Sequence, residues 1–440
     1  MIVLLQILVI AGLVIRFVAR RRDEPAMNID SIFISFQALM TVGGLALLNW
    51  DDGLDREYAW LLSVPYFLYL FFSMLFSLRS GRSTVSDEQL QRYRGIEVKA
   101  TRLPLIVPFL FIASALITIA YYNAVGYNLF VQQLIAVAAG GGGSEDVAGD
   151  RLAAYAGSEY LFPGYVNQFK NVLLPATALV IGHWAFAVRL RGRVALAVTM
   201  VLVCVLGLLG TGQRGALVLA LVWSGLYFYL WKPRVAIRWS VVFVPVGIVL
   251  FTVSTLLLGR SSDELARQEG ALAKFSILIG EVITRALGAN QESALFAYYY
   301  VRGMPVQGGG EWVSSILGVL PGHAGSDLSN RVFETMYGSL RGTAPPSLWV
   351  SIYHNFGTIG VIAAPFVIAL FCRAVINWIS SKGVIVPLQL VGYSGFSAVF
   401  GAWVAGGPEY LLNAGAVAAA LLVFLGRSVY ANEKTQRRGH

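Results

Sequence analysis

Nothing constrains this chain more than its succession of apolar stretches, each close to the roughly 17–25 residues that cross the hydrocarbon core of a bilayer. Eleven read as crossings, at about 1–19, 31–49, 58–78, 103–122, 167–188, 194–210, 215–231, 240–258, 351–371, 384–403 and 410–426. A backbone in lipid has to satisfy its own N–H and C=O groups, which leaves helices or closed barrels, and runs of this length call for helices. Charged residues make up 13% of the chain, about half the share usual in a soluble domain. The expectation is an all-α polytopic membrane protein, with residues 1–440 forming a single integral membrane domain without internal repeats. The first run reads as a transmembrane helix and not as a cleaved leader. Arginines follow it, none opens it, and no small-residue cleavage site closes it.

Lysines and arginines in short loops set the orientation of such a protein. Arg20 to Arg22, the group from Arg79 to Arg102, Arg189 to Arg193, Lys232 to Arg238, Arg373 and Lys434 to Arg438 all fall on one side of the crossings. That side is inner, so the N-terminus lies outside and the C-terminus inside. Under this assignment the inner segments carry 22 basic and 7 acidic residues, and the outer ones 11 and 17. The net charge of +9 is therefore a topology signal and gives no reason to expect nucleic acid. Four histidines and two cysteines, without paired ligand spacing, point to neither a metal site nor a disulfide framework. The outer basic residues are Arg56, Arg151, Lys170, Arg214, Arg260, Arg267, Lys274, Arg285, Arg302, Arg331 and Arg341. They do not serve orientation, and some of them must have another task.

Most of these lie in a long outer segment, about 259–350, between the eighth and ninth crossings; a secondary outer loop, about 123–166, carries Arg151. Arg214 stands apart, on the tight turn Thr211-Gly212-Gln213-Arg214-Gly215. The glycines let the backbone turn and a ligand come close, and a guanidinium grips phosphate oxygens with two prongs. The plainer alternative is an arginine reaching for lipid headgroups. Residues 274–300 suggest a helix lying on or dipping into the outer leaflet, where Arg285 either faces a ligand or pairs with Glu281 four residues earlier. Arg331 and Arg341 lie close to the re-entry into the membrane, as ligands or as solvated loop arginines. Loops of this length without secondary structure are functional or disordered, and the apolar stretch Trp312 to Leu320 argues against disorder. His354 stands beside Asn355 at the outer boundary of the ninth crossing. It is a proton acceptor or a packed histidine at a helix start. His323 and Glu292 stand behind it as alternatives, while His183 lies toward the inner end of its helix.

The turn T-G-Q-R-G over 211–215, the long outer segment, and a following helix that begins Y-H-N-F-G-T-I-G at Tyr353 resemble the oligosaccharide repeat-unit polymerases of bacterial surface polysaccharides, the Wzy or O-antigen polymerase type. The likeness is strongest over 206–220 and 345–370, and Arg331 with Gly342 also fits an R-x10-G string of some members. The resemblance implies a GT-C-like membrane fold and a metal-independent glycosyltransferase without cofactor. Its donor and acceptor would be undecaprenyl-pyrophosphate-linked oligosaccharides, handled on the outer face of the bacterial cytoplasmic membrane. A Wzz-type chain-length regulator and a flippase would be its partners. It implies pyrophosphate binding by Arg214 with a second arginine from among Arg285, Arg331 and Arg341, and catalysis by His354 with Arg214. Arg151, His323, Glu292 and Asn355 are secondary candidates.

The residue chemistry agrees with that picture. A glycosyl pyrophosphate is already activated, so the protein needs cations for the departing pyrophosphate and a base for the acceptor hydroxyl. Tyr298 to Tyr300 and Trp312 could stack on sugars or form an interfacial belt. Two further readings stay open: an O-antigen ligase-type transferase, and a lipid-linked oligosaccharide flippase or transporter. The second needs charges along the helix interiors, which read as almost charge-free.

Overall fold

A computed structural model describes residues 1–19, 27–79, 103–138, 163–212, 214–238, 290–318, 325–340, 342–380 and 385–438, with isolated positions between them. Its secondary structure among the described residues is helical. Among the described residues five helices are long and apolar enough to cross a membrane, over Ile29–Ala46, Gly53–Leu78, Ile106–Val125, Leu348–Ile379 and Pro387–Ala405. By the length and composition of its helices this is a helical membrane protein. The chain forms two compact units: residues 1–94, 275–382 and 399–412, and residues 95–274, 383–398 and 413–440.

In the first unit α1 (Ile2–Val18), α2 (Ile29–Ala46) and α3 (Gly53–Arg79) pack together. Asn28 caps α2 by accepting from the Ser31 N–H at 2.8 Å, the arrangement that satisfies an otherwise orphan donor at a helix start. Charge lies inside this bundle. Arg16 of α1 is buried against Asp30 of α2, with Nε donating to Oδ2 at 3.0 Å. Tyr69 and Ser73 of α3 donate to the same carboxylate at 2.5 and 2.9 Å. The helix interiors are therefore not as free of charge as the hydropathy suggested, because one pair is matched on the spot between three helices.

Among its described residues the long outer segment contains one helix that its composition announced and two that it did not. In the second unit the description starts with α4 (Ile106–Val125) and α5 (Leu129–Ala138). Next come the short α6 (Pro163–Asn167), a π turn (Gln168–Leu173), α7 (Leu174–Ala187), α8 (Arg193–Leu209) and α9 (Arg214–Trp231). Back in the first unit, α10 (Asn290–Val301), α11 (Gly310–Leu317) and α12 (Leu328–Tyr337) lead to α13 (Leu348–Ser380). α10 packs against α2, α12 and α13, and α11 against α13. Within the helix expected over 274–300, the described part is α10, which buries Gln291, Ala294, Ala297, Tyr298 and Val301. Residues 281–287, including Arg285, lie outside the described residues, as do most of those in the expected crossing over 240–258.

Two expected single helices are interrupted. The run over 410–426 divides into α15 (Pro408–Asn413) and α16 (Ala416–Arg438), which follow α14 (Pro387–Ala402). Gly415 separates them at φ +104, where a Cβ would overlap Val172, so only glycine fits. The run over 167–188 holds the π turn, whose Gln168 Oε1 accepts from the Ala418 N–H at 3.3 Å. In the same unit the Trp223 indole N–H donates to the Val391 carbonyl at 2.6 Å and ties α9 to α14.

Candidate functional site

α13 is the longest described helix, and it breaks at Gly357, which has φ 62 and ψ −160. That region is essentially closed to residues with a Cβ. Carbonyls released by a break inside an apolar segment must find other donors. Here the His354 carbonyl accepts from the Gln307 N–H at 3.1 Å, and the Asn355 carbonyl from the Gly309 N–H at 3.3 Å. The Gly308-Gly309 corner, both at positive φ, therefore docks against the half-helix that ends at Phe356 and delivers α11 to it.

α11 brings Glu311, Trp312 and Ser315 to this point. Asn355 is fully buried and spends its amide on three contacts. Its Nδ2 donates to Glu311 Oε2 at 2.6 Å and to the Ser351 carbonyl at 2.9 Å. Its Oδ1 accepts from the Trp312 N–H at 3.2 Å. Glu311 Oε1 accepts from the Ser315 hydroxyl at 3.1 Å, and the Trp312 indole N–H donates to the Ser351 hydroxyl at 2.9 Å. Trp312 is half-buried and lies 6.3 Å from the Trp403 ring.

His354, on the turn that carries Asn355, is 8% exposed, and its Nδ1 is buried with no hydrogen-bond partner. A neutral imidazole has one donor and one acceptor nitrogen, so this ring keeps a nitrogen uncommitted. It interacts electrostatically with Glu311. A second carboxylate arrives from the Gly406-Gly407-Pro408-Glu409 turn. Glu409 Oε2 is buried without a partner. Burial holds the Glu409 carboxyl above the ordinary carboxylate range, and the Glu311 carboxylate pushes it the same way. Glu409 thereby holds its proton more tightly than an ordinary carboxyl, next to an acid that already accepts two hydrogen bonds. One unit thus gathers an uncommitted imidazole, an oriented carboxylate and a carboxyl biased toward its protonated form.

No protein-family model, curated protein or solved structure matches this chain.

Of the residues singled out in the sequence, His354 and Asn355 lie in this cluster. His323 and Glu292 are exposed, Glu292 on the first turn of α10. Arg331 is exposed on α12, with its guanidinium on Asp327 at 3.1 Å and Glu334 at 3.3 Å. Arg302, one of the unexplained outer cations, lies bidentate on Glu57 at 2.8 and 2.9 Å. Tyr298 donates to Glu57 at 3.0 Å and Tyr299 to Asp55, so those hydroxyls hold α10 to α3. Arg151, Arg285 and Arg341 lie outside the described residues.

Arg214 opens α9 in the second unit, and its side chain lies outside what is described. The turn before it is tight as expected, with Gly212 at φ 71. It is held from behind: the Gly210 carbonyl accepts from the Leu129 N–H at 2.9 Å and the Gly207 carbonyl from the Tyr122 hydroxyl at 2.7 Å. His183, also in this unit, is buried against the Tyr227 hydroxyl, and its ring centroid lies 3.9 Å from that of Trp231.

Glu311, Ser315, Ser351 and Glu409 were missed in the sequence. One signal for the two acids was present: each closely follows a glycine pair, Gly309-Gly310 and Gly406-Gly407, where the backbone can bend sharply enough to aim a short acidic segment at a neighbour.

Proposed function

We propose that this protein is a membrane glycosyltransferase that joins polyprenyl-pyrophosphate-linked oligosaccharide repeat units. The observation that carries the reading is the uncommitted, buried imidazole of His354 beside the Glu311 carboxylate at a break in an apolar helix. Discontinuous helices are tolerated in membranes where the freed backbone is buried in protein or lines a cavity, and such breaks recur at substrate sites. In the proposed reaction an acceptor hydroxyl attacks the anomeric carbon of the donor. The new glycosidic C–O bond forms, the bond to pyrophosphate breaks with its electron pair leaving on the lipid pyrophosphate, and the hydroxyl proton passes to His354. Glu311, fixed by Asn355 and Ser315, stabilises the imidazolium so formed. Trp312 supplies an aromatic face for a sugar. Arg214 is assigned to the pyrophosphate, with the remaining loop arginines Arg285, Arg331 and Arg341 behind it.

The same reading takes the chain across the bacterial cytoplasmic membrane eleven times, N-terminus out and C-terminus in, with a GT-C-like arrangement and chemistry on the outer face. A Wzz-type chain-length regulator and a flippase complete the proposed set of partners. The flippase reading of the chain itself gains the buried Arg16–Asp30 pair, but Tyr69 and Ser73 close that pair and leave little charge to meet a cargo.

The test is purified protein in detergent mixed with lipid-linked repeat units, with products separated on a gel. A ladder is the expected product. A single transfer to an unrelated acceptor assigns the ligase reaction instead, and no transfer overturns the enzyme reading. Arg214→Lys should abolish the ladder at normal expression, because a point charge replaces a fork matched to phosphate oxygens.

A further inference from the structure

The second unit buries a lysine that the reaction above does not use. Lys170 lies in the π turn Gln168–Leu173 and is 0% exposed. A protonated lysine carries three donors, and among the described residues Nζ makes one contact, to the neutral Asn171 Oδ1 at 2.9 Å. No carboxylate faces it among the described residues. A buried charge is normally matched by a partner, because removing it from water is expensive. A π turn inside an apolar run is itself uncommon and is frequent at functional sites. This one is braced from outside: Gln168 is held to the start of α16 through Ala418, and Val172 fills the space left by the missing Cβ of Gly415. The lysine is thus placed inward by the start of α16 and, among the described residues, left without a counter-charge.

Its position along the helices is also informative. The connections α7–α8 and α8–α9 are short, and short connections join antiparallel neighbours, so α7 and α9 run in the same direction. Leu174 of α7 shares one buried apolar cluster with Leu208, Leu209 and Leu217. Lys170 precedes Leu174 by about one helical turn, and Arg214 precedes Leu217 by about one turn. Both cations therefore lie toward the end of the unit marked by the turn 210–213. At that turn Thr211 is 2% exposed, and its hydroxyl is buried without a partner. One end of one unit gathers an unmatched ammonium, an unmatched hydroxyl and the start of the helix that Arg214 opens.

We propose that Lys170 binds phosphate oxygens and, with Arg214, holds the pyrophosphate of a polyprenyl-linked donor. This rests on the donor chemistry proposed above. A phospholipid headgroup offers the same oxygens, and the test separates the two sources. The probe is farnesyl pyrophosphate, a short polyprenyl pyrophosphate, titrated against the full-length protein in an uncharged detergent, with phosphatidylglycerol as the second titrant and farnesol as the control. Lys170→Met should weaken farnesyl pyrophosphate binding by about tenfold or more, the worth of a charge-assisted hydrogen bond. Lys170→Arg should weaken it less. Without ligand, Lys170→Met should melt at or above the wild-type temperature, because it removes an unmatched buried charge. Equal binding by wild type and Lys170→Met overturns the assignment and leaves the donor reading standing. So does a Lys170→Met protein that melts well below wild type, which would make the lysine a structural post. Lysine-dependent binding of phosphatidylglycerol alone overturns the donor assignment in favour of a headgroup site. Wild-type protein that binds farnesyl pyrophosphate no better than farnesol overturns both readings. Lysine-dependent binding without any polymer ladder overturns polymerisation alone.

Discussion

Asn355→Asp interrogates the site at its tightest contact. The side chain keeps its shape and keeps the oxygen that accepts from Trp312, but the donor facing Glu311 becomes an oxygen. That position is 2.6 Å from Glu311 Oε2. Two unit charges at this separation repel by about 6 kcal/mol at an effective dielectric of about 20. Protonating an ordinary carboxylate at pH 7 costs only about 4 kcal/mol. The smaller term wins, so the pair should take up one proton, and that proton rebuilds the bridge. The expected loss of stability is therefore about 4 kcal/mol at pH 7 and about 1 kcal/mol at pH 5. The assay is thermal unfolding of variant and wild type side by side in detergent from pH 5 to pH 8, with the gap between midpoints widening as pH rises. The double variant Asn355→Asp with Glu311→Gln should close most of the gap at pH 7, because the new amide donates to the new carboxylate while the Ser351 carbonyl still lacks its donor. A gap that does not change with pH, or a double variant as unstable as the single one, refutes the reasoning.

His354→Gln should bind farnesyl pyrophosphate normally but lower the rate of ladder formation by on the order of 10²–10⁴, the usual worth of a positioned base; a ladder at the wild-type rate places the base elsewhere. Gly357→Ala should lower stability by about 1–3 kcal/mol, since the residue sits at φ 62 and its new methyl would lie 3.3 Å from Val306; an unchanged melting temperature would mean that the break is not needed. Glu409→Gln tests the raised carboxyl. A folded-state value above the unfolded one gives stability that is full below the unfolded value and is lost as pH rises through the folded value. The neutral amide escapes that loss, so the melting temperature of the variant should overtake wild type as pH rises and lose its advantage near pH 4, where an ordinary carboxylate is half-protonated. A constant offset between the two curves would deny that Glu409 is biased toward its protonated form.

The sequence by itself determined the medium of this protein. Apolar runs of membrane-crossing length leave helices as the economical solution, and helices occupy the described runs. It also marked His354, a histidine at the outer boundary of a crossing, with Asn355 beside it. The rest was decided by tertiary structure. Glu311 and Glu409 come from segments far apart in the chain, and no local pattern states that two glycine-pair corners will meet on one half-helix. Glycine inside a helix costs only about 1 kcal/mol relative to alanine, so Gly357 read as an ordinary helical position until its carbonyl neighbours found partners on Gln307 and Gly309. Arg331 and Arg302 looked alike in the sequence as surplus outer cations, yet each is engaged by carboxylates, because ion pairs are chosen by the side chains that packing brings within reach. Lys170 stood in the sequence as one outer basic residue among eleven, and burial in a π turn set it apart. Burial is a property of what surrounds a residue, so a charge left without its partner becomes visible only once the neighbours are in place.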